Sequence, residues 1–147
     1  MSEQPDLKTR ALRYLARREH SRLELERKLA PHTEDTAELE KVLDEMERRG
    51  WLSAARVVEQ TLHNRRARYG SRRIMRELKG KGISESLIAE AARQLRAGEM
   101  EVAREVWRRK FGAPPGDARE RARQMRFLLG RGFDPEVVNK VVNENDD

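Results

Sequence analysis

At 147 residues the chain has room for one ordinary domain, and with 39% charged against 37% hydrophobic residues any core it builds must be thin. The absence of cysteine excludes a disulfide framework and thiolate metal sites. No apolar run nears the roughly eighteen residues of a membrane span and the start is not signal-like, so the cytoplasm is the expected compartment, with no membrane partner. A net charge of +6 directs attention to acidic or phosphate-bearing partners.

A helical period runs through almost the whole chain. Leu7, Ala11, Leu12 and Leu15 predict a first helix from about Asp6 to Arg18, stopping near His20. Ser21 with Glu24 three residues on is a capping-box pattern and starts a second helix that ends at Pro31. After the acidic loop Thr33 to Thr36, Leu39, Val42, Leu43 and Met46 mark a third helix, closed by Gly50. Ser53 is the expected N-cap of a fourth helix carrying Val57, Val58, Thr61 and Leu62, which ends in the basic residues before Gly70. A short helix from Ser71 to Lys79 follows, then one capped by Ser84, running to Arg96 and closed near Gly98. The last group is expected at Glu99 to Phe111, Asp117 to Gly130 and Asp134 to Asn143. Asp134 serves as N-cap there with Pro135 at the first helical position, and Ala113 to Gly116 is a linker-like break.

One segment recurs with a fifty-residue period. Leu78 to Ile83 reads Leu-Lys-Gly-Lys-Gly-Ile, and Leu128 to Phe133 reads Leu-Leu-Gly-Arg-Gly-Phe. Each lies between two apolar-periodic stretches, so each is a helix, a tight basic turn and a helix. A glycine just past a helix end takes the left-handed cap, and the apolar residue after it packs back on the preceding turn. A repeat of this length means stacked modules, each too small to be stable alone. The expected fold is all-α: an elongated, curved array of three tandem three-helix repeats with about nine helices, spanning residues 1–52, 53–98 and 99–147.

Charge is distributed unevenly over these modules. Residues 1–50 hold 11 basic and 12 acidic side chains, residues 51–98 hold 11 and 4, and residues 99–147 hold 10 and 10. Within the central module Arg65, Arg66, Arg68, Arg72, Arg73, Arg76, Lys79 and Lys81 fall close together, with Glu77 the sole acid among them. Such density self-repels unless an anion is near. The cluster is either a face for polyphosphate, or a solvated basic face partly neutralised by acids of neighbouring modules; its arginines favour phosphate or carboxylate contacts.

Several chemistries are disfavoured. As a helix-turn-helix, the central pair would present Ser84, Glu85, Ser86 and Leu87 to base edges. None of these makes a bidentate base contact, and Glu85 repels phosphate. Tyr69 is the only aromatic residue inside the basic cluster, too little for a single-strand stacking platform, and reads as half-packed. His20, His32 and His63 stand in separate segments, without a partner at ligand spacing, and each reads as a surface or cap residue. Glu38, Glu40, Asp44, Glu45 and Glu47 read as the outer face of an amphipathic helix, explained by solvation and pairing along the helix. No phosphate-binding loop, dinucleotide fingerprint or nucleophile elbow occurs; no catalytic centre and no cofactor are expected.

Gly70, Ile74, Glu77, Leu78, Lys81, Gly82 and Ile83, matched one repeat later by Leu128, Arg131, Gly132 and Phe133, resemble the bacterial RecX family, regulators of the RecA recombinase. Tyr14-Leu15, Arg17 to Ser21, Glu24-Leu25 and Lys28-Leu29 resemble that family's first repeat, and Gly50-Trp51-Leu52 its turn into the fourth helix. The resemblance covers roughly residues 7–142; one departure is Ser53-Ala54, where the family usually has an acidic pair. It implies a non-enzymatic protein, expected to be a monomer, that binds the RecA filament on single-stranded DNA. There it would block extension or promote disassembly, lowering ATP hydrolysis, strand exchange and the DNA-damage response. Arg72, Arg73, Arg76, Lys79 and Lys81 are the expected electrostatic contacts, with direct DNA contact possible. The rival expectation is a basic single-stranded DNA-binding module that competes with RecA for DNA without touching it.

Overall fold

Capping side chains decide where the helices begin. In the computed structural model, which describes residues 4–144, Asp6 accepts from the Thr9 N–H and opens α1 (Leu7–Arg17). Ser21 and Glu24 form the reciprocal capping box of α2 (Arg22–Leu29), and a 3₁₀ turn over Ala30–His32 absorbs Pro31. Asp35 caps α3 (Thr36–Arg48), Ser53 caps α4 (Ala54–Arg65), and Ser84 caps α6 (Glu85–Lys110). Asp117 caps α7 (Ala118–Gly130), and Asp134 with Pro135 starts α8 (Pro135–Asn143). Only α5 (Ser71–Gly80) begins without a cap from its own segment, since Gly70 has no side chain to offer.

The tight turns close as their glycines require. Gly50, Gly82 and Gly132 have φ of 75°, 76° and 90°. The residues after them, Trp51, Ile83 and Phe133, donate back to the Met46, Leu78 and Leu128 carbonyls at 2.9, 3.1 and 3.3 Å. These are Schellman closures, and Ile83 and Phe133 then bury their side chains in the cores.

The expected helix end near Gly98 is not there. α6 runs 26 residues through Gly98, joining the two helices expected on either side of it, so the described residues form eight α-helices where about nine were expected. Gly98 has an ordinary helical backbone, and the strong helix formers around it outweigh the roughly 1 kcal/mol that one glycine costs. No strand occurs among the described residues.

Three apolar clusters form the core. The first joins Leu7 and Ala11 of α1, Leu25 and Leu29 of α2, and Leu39, Leu43 and Met46 of α3. The second takes Val57 and Leu62 from α4, Ile74 and Leu78 from α5, and Ala91 and Leu95 from α6. The third takes Ala103 and Trp107 from the far half of α6, Leu128 from α7, and Val138, Val141 and Val142 from α8. A single helix thus serves two groups of three, and couples them mechanically.

Candidate functional site

The basic cluster sits where the second and third groups meet, and the joint that holds it is built mainly from backbone. The start of α5 lies against the turn between α7 and α8: the Gly70 N–H donates to the Arg131 carbonyl at 2.9 Å and the Arg72 N–H to the Gly132 carbonyl at 3.0 Å. A Cβ on Gly70 would stand 2.3 Å from the Phe133 Cα, and one on Gly132 would stand 2.3 Å from the Arg73 Cβ. Two glycines are therefore needed for the approach itself.

Glu99 of α6 completes this joint. Its side chain is buried at 4% exposure. It accepts from the Ser71 N–H at 3.1 Å, from the Ser71 hydroxyl at 2.9 and 2.8 Å, and from the Asp134 N–H at 3.1 Å. One carboxylate thus caps α5 and holds the entry to α8, supplying what Gly70 lacks. The joint between the first and second groups is lighter. It uses Leu23 against Gly82 and the exposed Arg56–Glu19 pair at 2.8 Å.

The structure scatters the eight sequence-predicted cations over different tasks. Arg65 pairs with Glu77 at 3.2 Å, Arg66 donates to the Gln94 carbonyl at 3.4 Å, and Arg72 reaches Asp134 at 3.5 Å. Lys81 is half-buried and ties the Thr61 hydroxyl at 3.2 Å to Glu77 at 3.7 Å. Arg73 lies over the Tyr69 ring, 4.1 Å from its centroid. The exposed side chains of Arg68, Arg76 and Lys79 have no hydrogen-bond or ionic partner among the described residues. Arg65, Tyr69, Arg73 and Glu77 meet around a cleft of about 100 Å³.

Sequence reasoning missed what the third group adds. The Arg131 guanidinium stands 5.3 Å from the Tyr69 centroid and 5.2 Å from that of Phe127, and Lys110 stands 5.2 Å from Phe127. Arg73, Tyr69, Arg131, Phe127 and Lys110 therefore alternate cation and aromatic ring across the joint, each contact being worth about 0.5–1 kcal/mol at an exposed site. Tyr69 is half-packed as expected, but it is not the only aromatic residue at the cluster. The signal available was the repeat itself, because Arg131 occupies the position of Lys81 one period later.

The first group shows the opposite arrangement. Arg22, the first residue of α2, where α5 has Ser71, is gripped by Glu40, Asp44 and Glu47 at 2.9, 2.8 and 3.0 Å. Those acids stay on the exposed helix face expected of them, and α2 adds an interhelical pairing by laying a cation between them. Lys8, Arg18, Arg22 and Arg49 of the first group thus all meet carboxylates, whereas Arg76 and Lys79 on α5 meet none among the described residues.

His20 also departs from its expected surface or cap position. It is 1% exposed, its Nδ1 donates to the Arg18 carbonyl at 3.1 Å, and its Nε2 accepts from Lys28 Nζ at 2.8 Å. Burial first, then the charges of Arg18 and Lys28, hold its pKa below the ordinary value of 6.5 against the pull of the Arg18 carbonyl. His32 and His63 are exposed. Among the described residues no group of side chains is arranged to hold a metal ion, and no helix is long and apolar enough to cross a membrane.

Comparison with known proteins agrees with this organisation. Models of the RecX first, second and third three-helix domains match residues 8–46, 55–91 and 98–142. The regulatory protein RecX of Leptothrix cholodnii is 55% identical over 139 residues, covering 95% of this chain and 88% of that protein. The regulatory protein RecX of Ralstonia nicotianae is 49% identical over 140 residues, again 95% and 88%. In fold, the crystal structure of RecX from Lactobacillus salivarius superposes with a TM-score of 0.80 at 17% identity, covering 95% of this chain and 94% of that one.

Proposed function

This chain belongs to the RecX family of regulatory proteins, a family of regulators rather than enzymes, and from that premise we propose that it regulates the RecA recombinase, mainly as an inhibitor. In this reading it binds the RecA filament on single-stranded DNA as a cytoplasmic monomer, limits filament growth or promotes disassembly, and so tempers recombination, DNA repair and the DNA-damage response. The contact residues are Arg65, Arg66, Arg68, Arg72, Arg73, Arg76, Lys79 and Lys81, with the electrostatic part concentrated on α5.

The observation that carries the reading is the contrast in ion pairing. Arg22 meets three carboxylates, while Arg76 and Lys79 on the exposed side of α5 meet none among the described residues. Unpaired cations on a helix held fast at its start present a fixed positive surface, and such a surface raises both the rate and the strength of binding to a polyanionic assembly. Tandem groups touching several subunits would add through effective concentration, so that no single contact need be strong.

The test is a titration of the protein into preformed RecA filaments on single-stranded DNA, following ATP hydrolysis and filament length together. Inhibition well below one molecule per RecA subunit supports a filament regulator. Inhibition that appears only when enough protein is present to coat the DNA rejects it in favour of competition for single strands.

A further inference from the structure

A second cleft, of about 280 Å³, opens between the end of α4, the end of α6 and α7. Its floor is apolar, from Ala67, Val106 and Phe127, and its rim carries Arg68, Arg109, Lys110 and Arg131. The one acid there, Glu105, is already engaged by Arg108 and, at 2.9 Å, by Arg109. Arg68 and Lys110 meet no carboxylate among the described residues, and Arg131 donates only to the Arg68 carbonyl, at 3.3 Å. Three cations thus surround an apolar depression with no anion to balance them. The space is below the roughly 300 Å³ at which small-molecule pockets begin, and suits a side chain better than a whole ligand.

We propose that this cleft docks an acidic segment of a partner polypeptide, which seats one aliphatic side chain on Ala67 and Val106, beside the Phe127 ring, and aligns carboxylates with Arg68, Lys110 and Arg131. Charge complementarity selects an anion, and the floor selects the kind. A nucleic acid would have to stack a base on Phe127, yet Lys110 and Arg131 already stand over that ring at 5.2 Å each, so the base would displace the cations its phosphates need. A polypeptide leaves both in place and covers the apolar floor that phosphates cannot use. The proposal goes beyond the reading above, since it requires neither RecA nor DNA. Of the cleft's rim, only Arg68 belongs to the basic cluster of the central group.

Fluorescence anisotropy tests it with a labelled ten-residue peptide of Asp and Glu around a central Leu-Phe pair, and a matched peptide carrying Ser-Ser in its place. The intact protein should bind the Leu-Phe peptide about tenfold more tightly, the difference one buried apolar side chain supports. The Arg68→Glu, Lys110→Glu double variant, checked for folding by circular dichroism, should lose binding about tenfold or more, and excess oligothymidylate should leave the complex intact. Equal binding of the two peptides overturns the proposal, because it makes the contact charge alone. So does undiminished binding by the folded double variant, and so does displacement by oligothymidylate, which would make the cleft part of a nucleic-acid surface. Should the double variant not fold, the two-peptide comparison on the unaltered protein decides by itself.

Discussion

Glu99→Ala should loosen the joint that presents the basic helix. The substitution removes the acceptor shared by the Ser71 N–H, the Ser71 hydroxyl and the Asp134 N–H. At 4% exposure water does not readily replace it. A donor left unsatisfied in such a site costs about 1–3 kcal/mol, and the serine hydroxyl is free to rotate, so the two backbone donors set the loss at about 2–6 kcal/mol. Relief from burying a carboxylate works the other way, and brings the expected net to about 3 kcal/mol. That is a large share of the 5–15 kcal/mol typical of a folded domain. Glu99→Gln keeps one acceptor oxygen and should cost about 1 kcal/mol, the charge-assisted part of the bonds. Urea unfolding followed by circular dichroism measures both, and hydrogen exchange at the Ser71 and Asp134 amides locates the effect. An alanine variant within about 0.5 kcal/mol of the parent, with both amides still protected, would refute the reasoning.

Two glycines should respond in opposite directions. Gly70→Ala places a methyl 2.3 Å from the Phe133 backbone and should cost about 3 kcal/mol or more. Gly98→Ala, with nothing within 4 Å of the added carbon in mid-helix, should stabilise by about 0.5–1 kcal/mol; thermal unfolding of the pair reads both signs. His20 gives stability a pH dependence. Its folded pKa lies below 6.5, so its contribution is complete above pH 6.5 and is lost as pH falls from there through the folded value, when the ring gains a proton and gives up the Lys28 bond. His20→Gln should flatten that slope in urea midpoints measured across the window; an unchanged slope would remove His20 as its source.

Much of the fold is legible in local chemistry. Ser21 with Glu24, Ser53, Ser84, Asp117 and Asp134 all cap the helices they mark, because a short polar side chain before an apolar period has few other uses. Glycine is harder to read. Gly82 and Gly132 end helices through a positive φ, Gly98 merely sits in one, and Gly70 is required by the backbone of a turn about sixty residues away. Nothing local distinguishes these cases. The same limit applies to the site. Arg72, Arg73, Arg76 and Lys79 are visible as a charge run, but Arg131, Phe127 and Lys110 join them only through tertiary packing. In the third group a balanced charge total also conceals the gathering of Arg109, Lys110 and Arg131 around one cleft. Glu99 looks like an ordinary acid on a helix, and the two helix starts it serves lie twenty-eight and thirty-five residues from it in sequence.

The central claim is that unpaired cations on α5 supply the electrostatic part of binding to a DNA-bound filament. Arg76→Gln with Lys79→Gln tests it most directly, because both side chains are exposed and lack ionic partners among the described residues, so neutralising them should leave the fold intact. Affinity for preformed RecA filaments would be measured over a range of salt concentrations. If each cation neutralises a phosphate, the salt slope should flatten by about 1.4, from roughly 0.7 per contact on a single strand, with weaker binding at low salt. A correctly folded double variant with the parent's affinity and the parent's salt slope would contradict the account.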